Sequence, residues 1–201
     1  MNNFEHSETK KKIAVFASGT GTNAENLISY FKNNLIAEVV LVLTNNPKAG
    51  VIARAEKLNV KTFTFNKEQL NISNEVLNIL ENAEIDWIIL AGFLLKFPAT
   101  IIEKYPHHII NIHPALLPKY GGKGMYGMNV HKAVVENKEK ETGISIHYVN
   151  ENYDEGAIIF QAKTDLSVTD TPETVAQKVH QLEYEHFPKV VEKLVEKDLN
   201  G

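Results

Sequence analysis

Short, largely apolar runs alternate with segments of helical spacing along most of the chain. Strands that are buried on both faces of a parallel sheet have such runs, because helices cover each side of the sheet. The segment at residues 24–31 is apolar at positions i, i+3, i+4 and i+7, which predicts a helix packed on one face. We predict strands at residues 12–17, 39–43, 61–65, 87–91 and 108–112, and further helices at residues 50–58, 73–80, 98–105 and 131–136.

The last third of the chain has a different pattern. Residues 144–149 and 157–162 are both predicted to be extended, and the turn-rich segment between them favours an antiparallel pair. A long helix is then predicted to start with Thr171 as N-cap and Pro172 in its first turn, and to be kinked by Pro188. The alternation of strands and helices predicts a doubly wound, mostly parallel α/β sheet in a single domain, residues 12–201, after a polar lead-in at residues 1–11.

Composition and charge narrow the range of partners. The 201 residues are 43% hydrophobic and 23% charged, and the net charge of −4 provides no overall basic field for a nucleic acid. The absence of cysteine excludes disulfides, thiolate metal ligands and a cysteine nucleophile. The lead-in lacks an apolar signal segment, and no apolar run approaches the roughly 20 residues that span a bilayer. We therefore expect a cytoplasmic protein that binds neither nucleic acid nor membrane; no pattern sets its oligomeric state.

A glycine-rich loop, residues 18–24, lies between the first predicted strand and the first helix. It matches the dinucleotide pattern G-x-G-x-x-A, but the second strand ends in Thr44-Asn45-Asn46 without the carboxylate that would bind a ribose, and no Gly-Lys-Ser/Thr follows the glycines. Backbone N–H groups at a helix start attract anions. A single phosphate, with Thr22 and Asn23 as additional donors, fits this loop better than a dinucleotide; a tight turn without a ligand is the alternative.

Asn111 and His113 lie at the carboxyl end of a predicted central strand, where open α/β sheets bind their ligands. In an extended segment the two side chains point the same way, and Pro114 favours extended geometry at His113. An amide donor beside an imidazole suits a reaction in which negative charge grows on a carbonyl oxygen, and each such donor lowers the barrier by on the order of 3 kcal/mol. The segment therefore indicates carbonyl chemistry.

The other histidines are interpreted more conservatively. We place His147 between a structural role and a functional one. We expect no metal site, because the histidines lack the spacing of a metal-binding cluster. Asp154 precedes Gly156 in a polar turn and is explained either as turn chemistry or, if the turn folds back, as a partner that raises the pKa of His113. Structural or surface roles are the default for His6, His107, His131, His180 and His186.

Several of these segments resemble the folate-dependent formyltransferases. The block Asn-x-His-Pro-x-Leu-Leu-Pro at residues 111–118 is typical of the whole group, and the glycine loop is similar to that of the glycinamide ribonucleotide branch. The resemblance is collinear from residue 12 to about residue 195. The other matching pieces are residues 90–93, 143–149 and 154–161, and Glu183.

The resemblance implies a Rossmann-like formyltransferase fold, 10-formyltetrahydrofolate as the formyl donor, and the amine of 5′-phosphoribosylglycinamide as the acceptor. It implies that Asn111 and His113 face the oxyanion of a tetrahedral intermediate, while Asp154 keeps His113 protonated and orders a proton-carrying water. It further implies that Gly21, Thr22, Asn23 and Glu183 bind the ribonucleotide, that Leu94, Leu95, Lys96, Phe97 and Asn111 bind the folate, and that Ser145 and His147 support the centre.

The chain departs from the formyltransferase pattern at three places. Leu95 stands where bacterial members carry an arginine, no arginine occurs around residues 67–70, and the loop at residues 121–128 is longer than usual. These differences concern the folate contacts rather than the reaction centre.

The alternative activities have their own sequence requirements. A methionyl-tRNA formyltransferase is expected to carry an extra C-terminal domain and a formyltetrahydrofolate hydrolase an N-terminal one, and we expect neither. A non-catalytic phosphate-binding module would leave the residues of the reaction centre without a role.

Overall fold

The computed structural model describes residues 10–200, so residues 1–9 of the predicted lead-in lie outside the described part of the chain. Seven strands and seven helices follow one another in this range. The strands are β1 Lys11–Phe16, β2 Ala37–Thr44, β3 Lys61–Thr64, β4 Trp87–Leu90, β5 Ile109–His113, β6 Glu141–Tyr148 and β7 Ile158–Asp165. The helices are α1 Thr22–Phe31, α2 Gly50–Lys57, α3 Lys67–Asn71, α4 Glu75–Asn82, α5 Ala99–Lys104, α6 Met128–Glu136 and α7 Pro172–Leu199.

All seven strands form one sheet in the order β3-β2-β1-β4-β5-β6-β7. Strands β1 to β5 pair in parallel, whereas β6 is antiparallel to β5 and β7 is antiparallel to β6. The predicted α/β class and the predicted antiparallel pair are therefore both confirmed. The strand order reverses between β1 and β4, and this is the place where open α/β sheets form a crevice at the carboxyl ends of their strands.

Helices cover both faces of the sheet, which explains why its central strands are apolar on both sides. In β1, Ile13 and Val15 belong to a core that includes buried side chains of α1, α6 and α7. Their neighbours Ala14 and Phe16 belong to a second core with residues of α4 and α5. Successive strand residues point to opposite faces, so two cores on one strand require the continuous apolar run seen in the sequence.

Helix α7 begins as predicted and continues past its internal proline. The side chain of Thr171 accepts a hydrogen bond from the backbone N–H of Thr174 in a capping box, and Pro172 is the first helical residue. Pro188 lies inside the helix, which runs on to Leu199, so the proline does not end it; the kink stays a prediction. Within residues 10–200, no helix combines the length and the apolar character that a bilayer-spanning segment requires.

Two local predictions were incomplete. Pro98 is the N-cap of α5, so the helix predicted at residues 98–105 begins one residue later. The short helix α3 was not predicted, although it carries a sequence signal. Asn66 and Gln69 form a capping box in which each side chain bonds the other residue's backbone N–H.

Candidate active site

Ser18 ties three strand ends together at the carboxyl edge of the sheet. Its backbone N–H donates to the carbonyl of Gly92 after β4 at 3.1 Å, and its hydroxyl donates to Asn45 Oδ1 after β2 at 2.6 Å. The same hydroxyl accepts from the backbone N–H of Leu94 at 3.0 Å. The carboxyl ends of β1, β2 and β4 are thus held around one crevice, and Ser18 is a residue whose role we had not predicted.

A cavity of about 550 Å³ occupies this crevice. Its walls include the glycine loop, the segment after β4, the end of β5, the loop before α6 and one face of α7. A volume of this size accommodates a ligand of metabolite or drug size, which pockets of roughly 300–1,000 Å³ hold. All three predicted reaction-centre residues, Asn111, His113 and Asp154, line it together with Gly21, Thr22, Asn23 and Glu183.

The glycine loop places the start of α1 at the cavity wall. Gly21 is the N-cap residue and has a left-handed backbone with φ of 79°. A Cβ atom at this position would collide with Val51 of α2. Only glycine meets both conditions without strain, so the loop packs closely against α2, and the first residues of α1, Thr22 and Asn23, line the cavity.

Glu183 joins the glycine loop to α7. The carboxylate is 5% exposed, and its Oε2 accepts from Asn23 Nδ2 at 2.9 Å and contacts His180 Nδ1 at 2.8 Å. The hydrogen bond to Glu183 raises the pKa of His180, against the opposing effect of burial. A buried carboxylate needs such partners because an unpaired one is costly to desolvate. The structure therefore brings Asn23 and Glu183 together, as the resemblance implied.

His131 also lines the cavity, and within the described residues one nitrogen of its ring lacks a hydrogen-bond partner. It is 4% exposed, and its Nδ1 is buried without a hydrogen-bond partner among the described residues. Burial lowers the pKa of His131, and the nearby His180 acts in the same direction. We had expected structural or surface roles for His131 and His180, but both line the cavity. Helical spacing gave no sign of this for either residue.

Asn111 and His147 face each other across β5 and β6, where their Cα atoms are paired. His147 Nδ1 lies 2.8 Å from the Tyr148 carbonyl, which can only accept, so Nδ1 carries a proton. In the neutral ring His147 Nε2 accepts from Asn111 Nδ2 at 3.1 Å, and in the protonated ring it can donate towards Asp154 Oδ1, which is 3.6 Å away. The second N–H of Asn111 remains for another acceptor, and Asp154 Oδ1 is 3.5 Å away.

His113 is fixed by contacts at both ring nitrogens. Its Nε2 lies 2.7 Å from the carbonyl of Tyr120, and its Nδ1 lies 3.5 Å from Asp154 Oδ2. Because a carbonyl only accepts, Nε2 carries a proton even in the neutral ring. In the neutral ring the lone pair of Nδ1 therefore faces a carboxylate. Protonation of Nδ1 replaces this repulsion by an ion pair, so the geometry favours the charged imidazolium.

The charges around His113 nevertheless do not decide its protonation alone. Burial lowers the pKa of His113 below its ordinary value, and Asp154 and the Tyr120 carbonyl oppose this effect only in part. We had expected Asp154 to raise the pKa of His113; it acts in that direction, but desolvation of the imidazole outweighs it. Burial would also raise the pKa of Asp154, yet His147, His113 and the backbone N–H of Gly122 together hold it below its ordinary value. Asp154 is therefore ionised.

The turn that carries Asp154 folds back onto the crevice, which the sequence alone could not establish. Asp154 has a left-handed backbone with φ of 56°, a conformation that aspartate tolerates better than most residues. Its Oδ2 accepts from the backbone N–H of Gly122 at 2.9 Å. A Cβ atom at Gly156 would overlap the carbonyl of Tyr148, so glycine is required where the turn rejoins the sheet.

Ser145 supports the loop that follows His113. Its hydroxyl donates to the Ala115 carbonyl at 2.7 Å and accepts from the backbone N–H of Leu117 at 2.9 Å. Gln161 of β7 donates to the same hydroxyl at 2.7 Å and to the Leu117 carbonyl at 3.1 Å. Ser145 thus holds the loop that follows His113 in place, together with Gln161, which we had not singled out.

The predicted folate residues are only partly on the cavity wall. Leu94 lines the cavity, as does its neighbour Phe93, but the side chains of the next three residues do not. Phe97 is 4% exposed and packs edge-on against Phe16 in the second core, and Leu95 packs against the same core. Lys96 is exposed. The Leu95, Lys96 and Phe97 side chains thus lie away from the cavity wall, and the binding of the folate by this segment stays a prediction.

Residues 11–191 match the protein family described as formyl transferase. This chain belongs to the formyl transferase family. The match spans every strand and nearly all of the helical segments described above, and it confirms the resemblance that residues 111–118 indicated.

Named relatives within the family cover most of this chain. A phosphoribosylglycinamide formyltransferase of Bacillus subtilis (strain 168) is 35% identical over 190 residues, which is 92% of this chain and 95% of the relative. A chloroplastic phosphoribosylglycinamide formyltransferase of Arabidopsis thaliana is 36% identical over 192 residues, 92% of this chain. The chain spans only 66% of that plant protein and 62% of its counterpart from Vigna unguiculata.

A solved structure of the same family has the same fold. Glycinamide ribonucleotide transformylase 1 from Geobacillus kaustophilus superimposes with a TM-score of 0.84 at 34% identity, covering 93% of this chain and 100% of that one. A formyl transferase fold with a single α/β sheet is therefore established for this chain.

Proposed function

We propose that this formyl transferase moves the formyl group of 10-formyltetrahydrofolate to the amine of 5′-phosphoribosylglycinamide. The observation that carries the proposal is one cavity whose wall carries two chemically different groups of residues. The first group is His113 and Asp154, which lie at ion-pair distance, and the second is the start of α1 beside Glu183. The first group suits carbonyl chemistry and the second suits a phosphorylated ribose, so they support a phosphorylated substrate whose amine attacks the formyl carbon.

The reaction centre would act on the tetrahedral intermediate. The amine nitrogen bonds to the formyl carbon, and the carbonyl π electrons move onto the oxygen. The second N–H of Asn111 and the Nδ1 proton of His113 have only long contacts of 3.5 Å with Asp154, so both donors would be shared with the oxyanion when it forms. Both groups are held in place before the reaction, so they stabilise the oxyanion without reorganisation; each is worth on the order of 3 kcal/mol of barrier.

Collapse of the intermediate requires one proton to move. The attacking amine becomes a neutral amide and loses a proton, while the bond from the formyl carbon to the folate nitrogen breaks and that nitrogen gains a proton. Asp154 is ionised and accepts hydrogen bonds, so we propose that it orders a water that carries the proton between the two nitrogens. Ser145 and His147 would hold this arrangement through the contacts behind it.

The placement of the substrates follows from the two groups of residues on the cavity wall. We propose that the first N–H groups of α1, at Gly21, Thr22 and Asn23, bind the phosphate, because a helix N-terminus favours an anion. Glu183 would accept hydrogen bonds from ribose hydroxyls. The folate would lie beside Leu94.

The cytoplasmic location of the protein stays a prediction, because the plant relatives are named chloroplastic.

The rival activities are separated by one assay. The protein is mixed with 10-formyltetrahydrofolate, and deformylation is followed with and without phosphoribosylglycinamide. We expect turnover only when the acceptor is present. Equal turnover in both mixtures would identify a hydrolase instead, and binding of the ribonucleotide without any turnover would favour a non-catalytic module.

A further inference from the structure

The segment Tyr120–Gly122 touches both members of the catalytic ion pair through its backbone. The carbonyl of Tyr120 accepts from His113 Nε2 at 2.7 Å, and the N–H of Gly122 donates to Asp154 Oδ2 at 2.9 Å. Neither contact involves a side chain of the segment. The orientation of the imidazole and of the carboxylate therefore depends on how firmly this backbone is held.

Tyr120 is held in an uncommon conformation by its own side chain. Its φ of 57° lies in the left-handed region, which a tyrosine adopts only when its surroundings compensate the strain. The ring packs against the core that contains Ile112 and Ala115, and the hydroxyl donates to Glu139 Oε1 at 2.8 Å. Burial and this contact raise the pKa of Tyr120 to about 12, so the hydroxyl keeps its proton.

Glu139 is a firm anchor for that hydroxyl. It lies in the short connection between α6 and β6, where its backbone N–H donates to the carbonyl of Val134 at 3.2 Å. Its Oε1 also accepts from Lys119 Nζ at 2.9 Å. Hydrogen bonds from Lys119 and then from Tyr120 lower the pKa of Glu139, so the acceptor is a carboxylate. A charged acceptor makes the bond from Tyr120 stronger than one between neutral groups.

We propose that Tyr120 is a positioning residue, whose hydrogen bond to Glu139 fixes the backbone that orients His113 and Asp154. The reacting atoms need no contact with the tyrosine hydroxyl. The hydroxyl acts by keeping the carbonyl of its own residue against His113 Nε2, which commits the proton of Nδ1 to the cavity. The catalytic consequence rests on the proposed formyl transfer, but the orientation of His113 does not.

The test combines kinetics with a direct reading of the imidazole. Tyr120→Phe keeps the packing of the ring and removes only the hydroxyl. We expect kcat to fall about five- to tenfold with KM for both substrates within about twofold, as for an interaction used only in the transition state. The His113 ring resonances, followed by NMR against pH, should report a titration displaced to lower pH. The charged or titratable groups that act on His113 are Asp154, His147, Glu183 and His131, and none of these is altered.

Two further variants make the test specific. Tyr30→Phe is the matched control, because Tyr30 also donates to a carboxylate, Glu192, but lies on α1 outside the cavity wall. It should leave kcat and the His113 titration unchanged. Glu139→Ala should reproduce the effect of Tyr120→Phe, and the double variant should be no worse than either single one.

The outcomes divide cleanly. An unchanged His113 titration in folded Tyr120→Phe would overturn the inference, and so would additive effects of the Tyr120 and Glu139 changes. Because the NMR titration needs no substrate, a protein without formyl transfer could still show the displaced titration. That result would refute the proposed function and leave the positioning role standing.

Discussion

Replacing Asp154 by asparagine removes one charge from the reaction centre and little else. The new side chain has the same size, and its amide oxygen can still accept from the backbone N–H of Gly122. Asparagine also tolerates the left-handed backbone at this position. The change therefore isolates the electrostatic effect of Asp154 on His113.

The size of that effect follows from the distance. Two unit charges 3.5 Å apart, as His113 Nδ1 and Asp154 Oδ2 are, attract by about 4–5 kcal/mol at an effective dielectric constant of about 20. The Asp154 side chain is 13% exposed, so solvent screens part of this attraction and about 3 kcal/mol is a reasonable net value. At about 1.4 kcal/mol per factor of ten, the ratio of imidazolium to imidazole at His113 should fall about 100-fold, which lowers the pKa of His113 further.

In the proposed mechanism the catalytic form of His113 is the imidazolium, and this fixes the sign of the pH effect. Burial already lowers the pKa of His113, so its protonated fraction is declining at neutral pH. Loss of the Asp154 charge leaves about 100-fold less imidazolium near pH 7.5 and lowers kcat by a similar factor. The decline of kcat with rising pH should therefore begin at a lower pH in the variant.

The assay is kcat measured from pH 5 to pH 9 together with the NMR titration of His113. Asp198→Asn is the matched control, since Asp198 also contacts a histidine, His108, at 3.1 Å but outside the cavity wall. We expect the control to keep kcat within about twofold, as substitutions remote from a reaction centre do. The reasoning fails if Asp154→Asn has near-normal kcat at pH 7.5, or if its His113 titrates at the same pH as in the unmodified protein.

Four other changes test separate parts of the account. Asn111→Ala should lower kcat about 100-fold with little change in KM, because it removes one oxyanion donor, and steady-state kinetics would show a KM effect instead if the residue only binds substrate. Glu183→Gln should raise KM for the phosphorylated amine and leave KM for the folate unaltered. Gly156→Ala should lower the free energy of unfolding in urea by about 2 kcal/mol or more, because the new Cβ overlaps the Tyr148 carbonyl. Thr171→Ala should cost about 1 kcal/mol in the same measurement, and no loss would mean that the capping box does not stabilise α7.

The fold was predictable because its main signals are local. Buried parallel strands have continuous apolar runs, and the strand ends carry the polar loops that meet at one edge. Asn111 and His113 could be placed together for the same reason, since two residues on one strand share a face. The physics of a single segment is enough for such predictions.

The remaining parts of the site depend on long-range folding. The contact of Asp154 with His113 requires a turn to fold back over the crevice, and no local pattern specifies the direction of that turn. His180 and His131 have ordinary helical surroundings in the sequence, and only the packing of α6 and α7 brings them to the cavity. The segment after β4 turns the side chains of Leu95 and Phe97 towards the second core, an orientation that its composition permits but does not specify.

The most direct test of formyl transfer follows the carbon itself. The donor is prepared with a ¹³C-labelled formyl group and incubated with the protein and phosphoribosylglycinamide, and the products are identified by NMR and mass spectrometry. The account predicts that the label appears as an N-formyl amide on the ribonucleotide, in an amount equal to the tetrahydrofolate released. Label recovered as free formate, or left entirely on the folate, would contradict it.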